Sequence, residues 1–394
     1  MANKNYRNLL IGDGLSAFGS WIDFLAILTM AAYFYKVNAF EMVAVSAVAL
    51  LPGILLAKRI GQAADGTNPK TLLQLSIGGR LLMTAAIVFS TSLYLFLVFV
   101  AIRSIFTSVA PPAINVLAVR TIEQDERPRF YSALNVINNS AKVIAPAIGT
   151  VASSLSSEVF ALLLSGLCSL LAMLFFGRLA VQPTTARSMP NQAKSSLIDQ
   201  PNFFPFVYVA ASYAFFVFMV NNLVPLALQQ SGFDKALLGI LISCSGAGNI
   251  LTGMWLSKRS KEGTITPQLI SVALPASLQA IGFGCIGVVL AFAPNLHQVL
   301  LPICFFIIGT FSARFAIQCN VYMSTYFASN IGAVSAAVQG YQNAMILIAP
   351  MVGAVVLENA GPSYLFLFAA ALGLASYGLL ILKLKVSNRT APQP

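Results

Sequence analysis

The sequence predicts an all-α polytopic membrane protein, twelve transmembrane helices arranged as two pseudo-symmetric six-helix bundles. Three observations carry that expectation. Of 394 residues, 58% are hydrophobic and 9% are charged, at a mean hydropathy of +0.81, whereas a soluble domain carries roughly 25% charged residues. Apolar runs of about 20 residues recur from end to end, the length that crosses a hydrocarbon core of about 30 Å. A polar pattern in the fifth of these runs returns at matching spacing in the eleventh.

In chain order, the first six runs cover residues 9–35, 42–57, 71–90, 94–116, 131–153 and 159–179. A polar stretch at 181–202, with Pro183, Pro190, Pro201, Ser195 and Ser196, reads as a linker. Six further runs follow at 203–228, 236–255, 268–293, 299–320, 334–357 and 364–383. The expected domains are therefore a bundle at 1–180, a cytoplasmic linker at 181–202 and a second bundle at 203–394. The first run is long enough to span and carries no small-residue cleavage pattern, so no cleavable signal peptide is expected.

Orientation follows from the basic residues, because Lys-rich and Arg-rich loops stay in the cytoplasm. With both termini inside, the inward segments collect most of the 23 basic residues, including Lys58, Arg59, Lys70, Arg120, Arg127, Arg129, Lys258, Arg259 and Lys261. The outward loops hold only Lys36 and Lys235. The formal charge of +11 is thus mainly a topology signal. Nucleic-acid binding is not expected, since the charges form no stripe.

Cys168, Cys244, Cys285, Cys304 and Cys319 all fall inside apolar runs without metal-ligand or redox spacing, and read as small packing residues. His297, the single histidine, has no Cys or carboxylate companions with which to build a metal site. No nucleophile or acid-base constellation is present. The expectation is a non-enzymatic protein with no catalytic residues, no metal and no cofactor.

The repeat is specific. Asn135, Asn138, Asn139, Ala145, Pro146 and Gly149 in the fifth run correspond to Gln339, Gln342, Asn343, Ala349, Pro350 and Gly353 in the eleventh. Amides at i and i+4 (Asn135 with Asn139, Gln339 with Asn343) share a helix face. Such a stripe must meet protein or water, because unpaired amides are costly in lipid. The copies differ informatively at one place, where Lys142 in the first corresponds to Ile346 in the second.

With two six-helix halves, inward termini, a central linker and parallel repeats, the chain resembles the major facilitator superfamily over nearly its whole length. The loop after the second run, Gly61-Gln62-Ala63-Ala64-Asp65-Gly66-Thr67-Asn68-Pro69-Lys70, resembles that family's cytoplasmic gating motif. The resemblance assigns gating roles to Gly61, Asp65 and Lys70, with the usual basic cluster reduced to Lys70. The equivalent stretch at 253–261 has Ser257 where an aspartate would stand. Phe18-Gly19-Ser20-Trp21-Ile22-Asp23, Leu51-Pro52-Gly53 and Ala145-Pro146-Ala147-Ile148-Gly149 are similar to the branch holding the enterobactin exporter and macrolide efflux pumps. That branch implies a monomeric bacterial inner-membrane protein exporting its substrate by proton exchange.

Arg80, Arg103, Lys142 and Arg314 lie inside spanning runs, and Asp23 is the one acid at comparable depth. A cation in hydrocarbon costs several kcal/mol unless paired, hydrated or in contact with a ligand. In the fold this chain resembles, Asp23, Arg103, Lys142 and Arg314 reach the central cavity, while the third helix, with Arg80, is peripheral and reads as scaffold. Asp23 and Arg103 are the expected proton-coupling pair. Lys142, Arg314 and Arg103, with the amides of Asn135, Asn139, Gln339, Asn343, Asn221 and Asn222, are the expected substrate contacts. A positive interior suits carboxylates. The leading expectation is export of a polar, multiply anionic metabolite such as a carboxylate siderophore. An importer of the same ligand, a drug efflux pump and a membrane receptor are the alternatives.

Overall fold

The fold is seen in a computed structural model that describes residues 2–35, 39–155, 158–180, 200, 202–233, 235–259, 268–292 and 296–390. Most of the expected linker, residues 181–199 and 201, lies outside them. Every regular element is helical, and no strand occurs among the described residues. The chain divides into two compact units, Met1–Leu197 with Met323–Asn343, and Ile198–Tyr322 with Ala344–Pro394.

The first unit starts with α1 (Ala2–Thr29), which runs on as a π-helical turn, Met30–Phe34. Then come α2 (Ala39–Leu55), α3 (Ala57–Gly66), α4 (Pro69–Val88), α5 (Leu93–Thr121), α6 (Arg127–Leu155) and α7 (Glu158–Gly177). Helix α1 packs on α6 and α7, and α4 packs on α5 and α7. Ile22, Ile27, Val45, Ile87, Phe96 and Leu162 close the apolar core between them. Local sequence sets the starts of two helices. The Asn68 side chain accepts from the Lys70 N–H at 3.0 Å, with Pro69 in the first turn of α4, and the Ser92 hydroxyl accepts from the Leu95 N–H at 3.3 Å ahead of α5.

The second unit contains α8 (Phe203–Asn221), α9 (Val224–Gln230), α10 (Lys235–Arg259), α11 (Leu269–Phe292) and α14 (Pro362–Thr390). Helix α12 (His297–Tyr326) and helix α13 (Ile331–Ala360) are shared out, because Met323–Asn343 packs with the first unit. Helices α10 and α12 cross at two glycines: a Cβ on Gly309 would sit 1.9 Å from the Ser245 carbonyl oxygen, and one on Gly248 would sit 2.2 Å from that of Phe306. Without a hydrophobic drive between helices in lipid, close backbone approach of this kind supplies the packing.

Among the described residues, seven helices are long and apolar enough to cross a membrane, and the end of α2 (Ala47–Leu55) with α3 forms an eighth candidate bent by 57°. Leu55, Leu82, Phe89, Phe292 and Met351 are exposed on the outside, the inverse of a soluble surface and the pattern a lipid-facing exterior requires.

Two spans differ from the sequence expectation. The second does not end in a loop at residue 57: after Leu56 (φ −98°, ψ 2°) the chain turns and forms α3, so most of the expected gating loop is helical. Its polarity concealed a short amphipathic face, with Ile60, Gly61 and Ala64 buried and Lys58, Arg59 and Gln62 exposed. The seventh span is broken at Asn222 and Leu223, where α8 gives way to α9.

Candidate functional site

On α1, residues 13, 16, 20 and 23 follow one another at helical spacing and put Asp13, Ser16, Ser20 and Asp23 on one face. That face turns inward. Asp23 is 1% exposed, and its Oδ2 accepts from Arg103 Nη2 at 2.6 Å, Arg103 Nε at 3.2 Å and the Thr84 hydroxyl at 3.0 Å. The Arg103 Nε also reaches the Thr84 oxygen at 3.3 Å. Three helices, α1, α4 and α5, thus meet on one carboxylate oxygen. The second oxygen, Oδ1, has no partner among the described residues. Such a pair is charge-assisted and desolvated, and removing either half strands the other.

Arg80 is buried where α1, α4 and α7 meet. It is 3% exposed, donates to the Ser20 hydroxyl on α1, and donates to the Ser169 hydroxyl on α7 at 2.9 Å. Asp13 is buried on α1 and accepts from the Asn138 amide of α6 at 3.3 Å.

Lys142, on α6, is exposed, and its Nζ sits 5.7 Å from the centroid of the Trp21 ring. Trp21 in turn meets Phe24 edge-on at 5.9 Å. The expected amide face of α6 is largely satisfied internally: Asn139 donates to the Asn135 side-chain oxygen at 3.0 Å and to its carbonyl at 2.8 Å. On α13, Gln339 and Asn343 are half-buried in the first unit. In the second unit, Arg314 is exposed on α12 with no hydrogen bond or ion pair among the described residues, and Asn221 and Asn222 are exposed at the end of α8.

The gating segment is built by close approach. A Cβ on Gly61 would lie 2.5 Å from the Cα of Ala333, so only glycine admits α13 there. The Asp65 carboxylate accepts from the Gly332 N–H at 2.7 Å and the Ala333 N–H at 2.8 Å, two of the otherwise unpaired donors of the first turn of α13. Arg120 donates to the Asp65 carbonyl at 3.1 Å. Two more bonds fix the same segment: Asn115 donates to the Ser335 hydroxyl at 2.8 Å, and Arg127 to the Ser324 carbonyl at 2.8 Å. Gly332, Ala333 and Asn115 are not visible from the sequence, since backbone N–H groups leave no residue signature and the contact spans 267 positions. Lys70 is elsewhere, donating to the carbonyls of Gly177 and Leu179 at 2.7 and 2.8 Å, and so caps the end of α7. Asp65→Asn keeps one acceptor oxygen but loses the charge. It is expected to cost about 1–2 kcal/mol, read as a lowered thermal unfolding midpoint, while Lys70→Gln leaves the Asp65 contact intact.

Apolar helices of membrane-crossing length that enclose an Asp23–Arg103 ion pair fit the class of a membrane transporter. A model of the Major Facilitator Superfamily matches residues 9–283, and the chain belongs to that superfamily. It is a multi-pass membrane transporter of small molecules and not an enzyme. The uncharacterized MFS-type transporter YfiS of Bacillus subtilis (strain 168) is 24% identical over 400 residues, covering 96% of this chain and 93% of that protein. The human organic anion transporter MFSD10 (TETRAN) has the same fold, with a TM-score of 0.75 at 15% identity over 96% of this chain and 99% of that one. A bacterial homologue of the iron transporter ferroportin, in an outward-facing state, gives 0.76 at 12% identity over 95% and 98%.

Proposed function

We propose that the protein is a proton-coupled secondary transporter of a small, polar, anionic metabolite, a carboxylate siderophore being the leading candidate, and that it works as an exporter in the bacterial inner membrane with both termini cytoplasmic. The observation that carries the anionic substrate is the state of two cations. Lys142, on α6 beside the Trp21 ring, and Arg314, on α12, are exposed and have no carboxylate within ion-pair distance among the described residues. A charge left uncovered by protein at membrane depth faces water or a ligand rather than hydrocarbon. Each is therefore assigned, within its own unit, as an anion contact. Arg314 suits a bidentate grip on a carboxylate and Lys142 a point contact. Gln339, Asn343 and Asn222 add hydrogen-bonding capacity, whereas Asn135 and Asn139 are spent largely on each other.

Asp23 and Arg103 are assigned to proton coupling: a carboxylate that alternates between its arginine and a proton changes the charge of the bundle interior with each cycle. Asp65 on the first turn of α13, with Gly61 beneath it, is assigned to the gate. The placement in the enterobactin-exporter and macrolide-efflux branch rests on the three short motifs, as does a monomeric working state.

The test is a binding screen of purified protein against siderophores, hydroxycarboxylates and common cationic drugs. Tight binding only of a cationic drug overturns the proposal. Lys142→Ala and Arg314→Ala are each expected to weaken anion binding roughly tenfold or more, the scale of a lost hydrogen bond to a charged group. Unchanged affinity in both removes the anion assignment. Labelled ligand lost from intact cells supports export, and accumulation supports import.

A further inference from the structure

Arg80 is a charge that the proposed transport cycle leaves unexplained. It is a buried cation on α4 with no carboxylate in ion-pair distance among the described residues, and its Nε has no partner there. Two hydroxyls from two other helices, Ser20 on α1 and Ser169 on α7, hold its terminal nitrogens. Serine oxygens neutralise nothing. Evolution of a purely structural tie between α1, α4 and α7 does not require a full charge, which is costly at this depth.

We propose that Arg80 is the fixed cation that turns protonation of Asp23 into release of Arg103. The inference rests on the reading of Asp23 as the proton carrier. Arg80 stands one helical turn from Thr84 on α4, and its partner Ser20 one turn from Asp23 on α1, which sets it beside the Asp23–Arg103 pair, with Asp13 further along the same α1 face and Cys168 next to Ser169 on α7. With Asp23 ionised, it balances one of the two arginines. When Asp23 takes up a proton, the counter-charge of Arg103 is gone, Asp13 alone is left on the α1 face that Arg80 meets, and the two arginines repel in a water-poor interior.

Which arginine leaves is decided by their other bonds. Among the described residues, every hydrogen bond that the Arg103 side chain makes goes to Asp23 or to Thr84 beside it, and 10% of that side chain remains exposed. Arg80 keeps both serines whatever the state of Asp23. The fixed charge therefore stays, and the charge with an outlet moves.

The test is a double-mutant cycle on the full-length purified protein, read as thermal unfolding midpoints. Asp23→Asn alone is expected to lower the midpoint, and adding Arg80→Gln is expected to restore at least half of that loss. Adding Arg80→Lys, which keeps the charge, restores nothing. Additive losses in Asp23→Asn/Arg80→Gln overturn the proposal, because a purely structural arginine is worth having in either background. Should a variant not survive purification, the same comparison is read as the yield of monodisperse fluorescent-protein fusion in detergent extract. In liposome flux, Arg80→Gln is expected to lose the pH response that Arg80→Lys retains, and a wild-type pH profile in Arg80→Gln also overturns the proposal. Flux that remains pH-dependent in Asp23→Asn instead removes the proton-carrier reading, a failure separate from that of the stability cycle.

Discussion

The Asp23→Asn protein is expected to lose the pH dependence of transport and to unfold at a lower temperature. Both effects are expected from the same contact. The carboxylate takes two bonds from Arg103 and one from Thr84 at a site 1% exposed to solvent. Removing one half of a buried ion pair costs about 3–5 kcal/mol, most of it the penalty of the stranded partner. Asn keeps a hydrogen-bond acceptor, so its loss falls toward the lower figure, and Asp23→Ala toward the higher. Proteoliposome flux under an imposed pH gradient, alongside unfolding midpoints, measures both. Flux that still follows pH in Asp23→Asn would falsify the coupling role. Arg103→Lys separates charge from geometry, since lysine retains the cation but cannot reproduce the two-pronged approach to Oδ2.

The second large effect is steric. Gly61→Val places a branched side chain where even a Cβ would stand 2.5 Å from the Cα of Ala333. Backbone cannot step aside as a flexible side chain can. Overpacking of this sort costs about 1–3 kcal/mol, and here it falls on the junction that also carries the Asp65 bonds to Gly332 and Ala333. The expected result is a lowered unfolding midpoint and flux reduced to a small fraction of wild type, with Gly61→Ala between the two. A wild-type midpoint and wild-type flux in Gly61→Val would mean that the close approach of α3 and α13 is dispensable.

These two sites also mark what can be read from residues alone. The spans are legible because hydrocarbon sets their length, and a run such as 268–293 has no alternative use. Asp23 and Arg103 are legible as a pair because charges at mid-depth must find each other. Helix α3 is not, since its apolar face amounts to Ile60, Gly61 and Ala64 within a polar stretch that looks like a loop. The Asp65 contact is hidden for a different reason: its partners are peptide N–H groups, which every residue but proline possesses. The partners of Arg80 were also hidden, because the serines that hold it, Ser20 and Ser169, resemble any other small residues of a membrane helix. Lys70 illustrates the limit of motif transfer, for it stands in the gating sequence and serves the end of α7.

The end of α7 has a consequence of its own. Beyond Gly177 the last carbonyls are all taken: Lys70 holds those of Gly177 and Leu179, Asn8 that of Arg178, and Asn5 both the oxygen and the N–H of Ala180. Residues 177–180 are therefore riveted to the starts of α1 and α4. Any pull transmitted along the following segment is borne as a load on those two helices together, rather than peeling α7 away turn by turn.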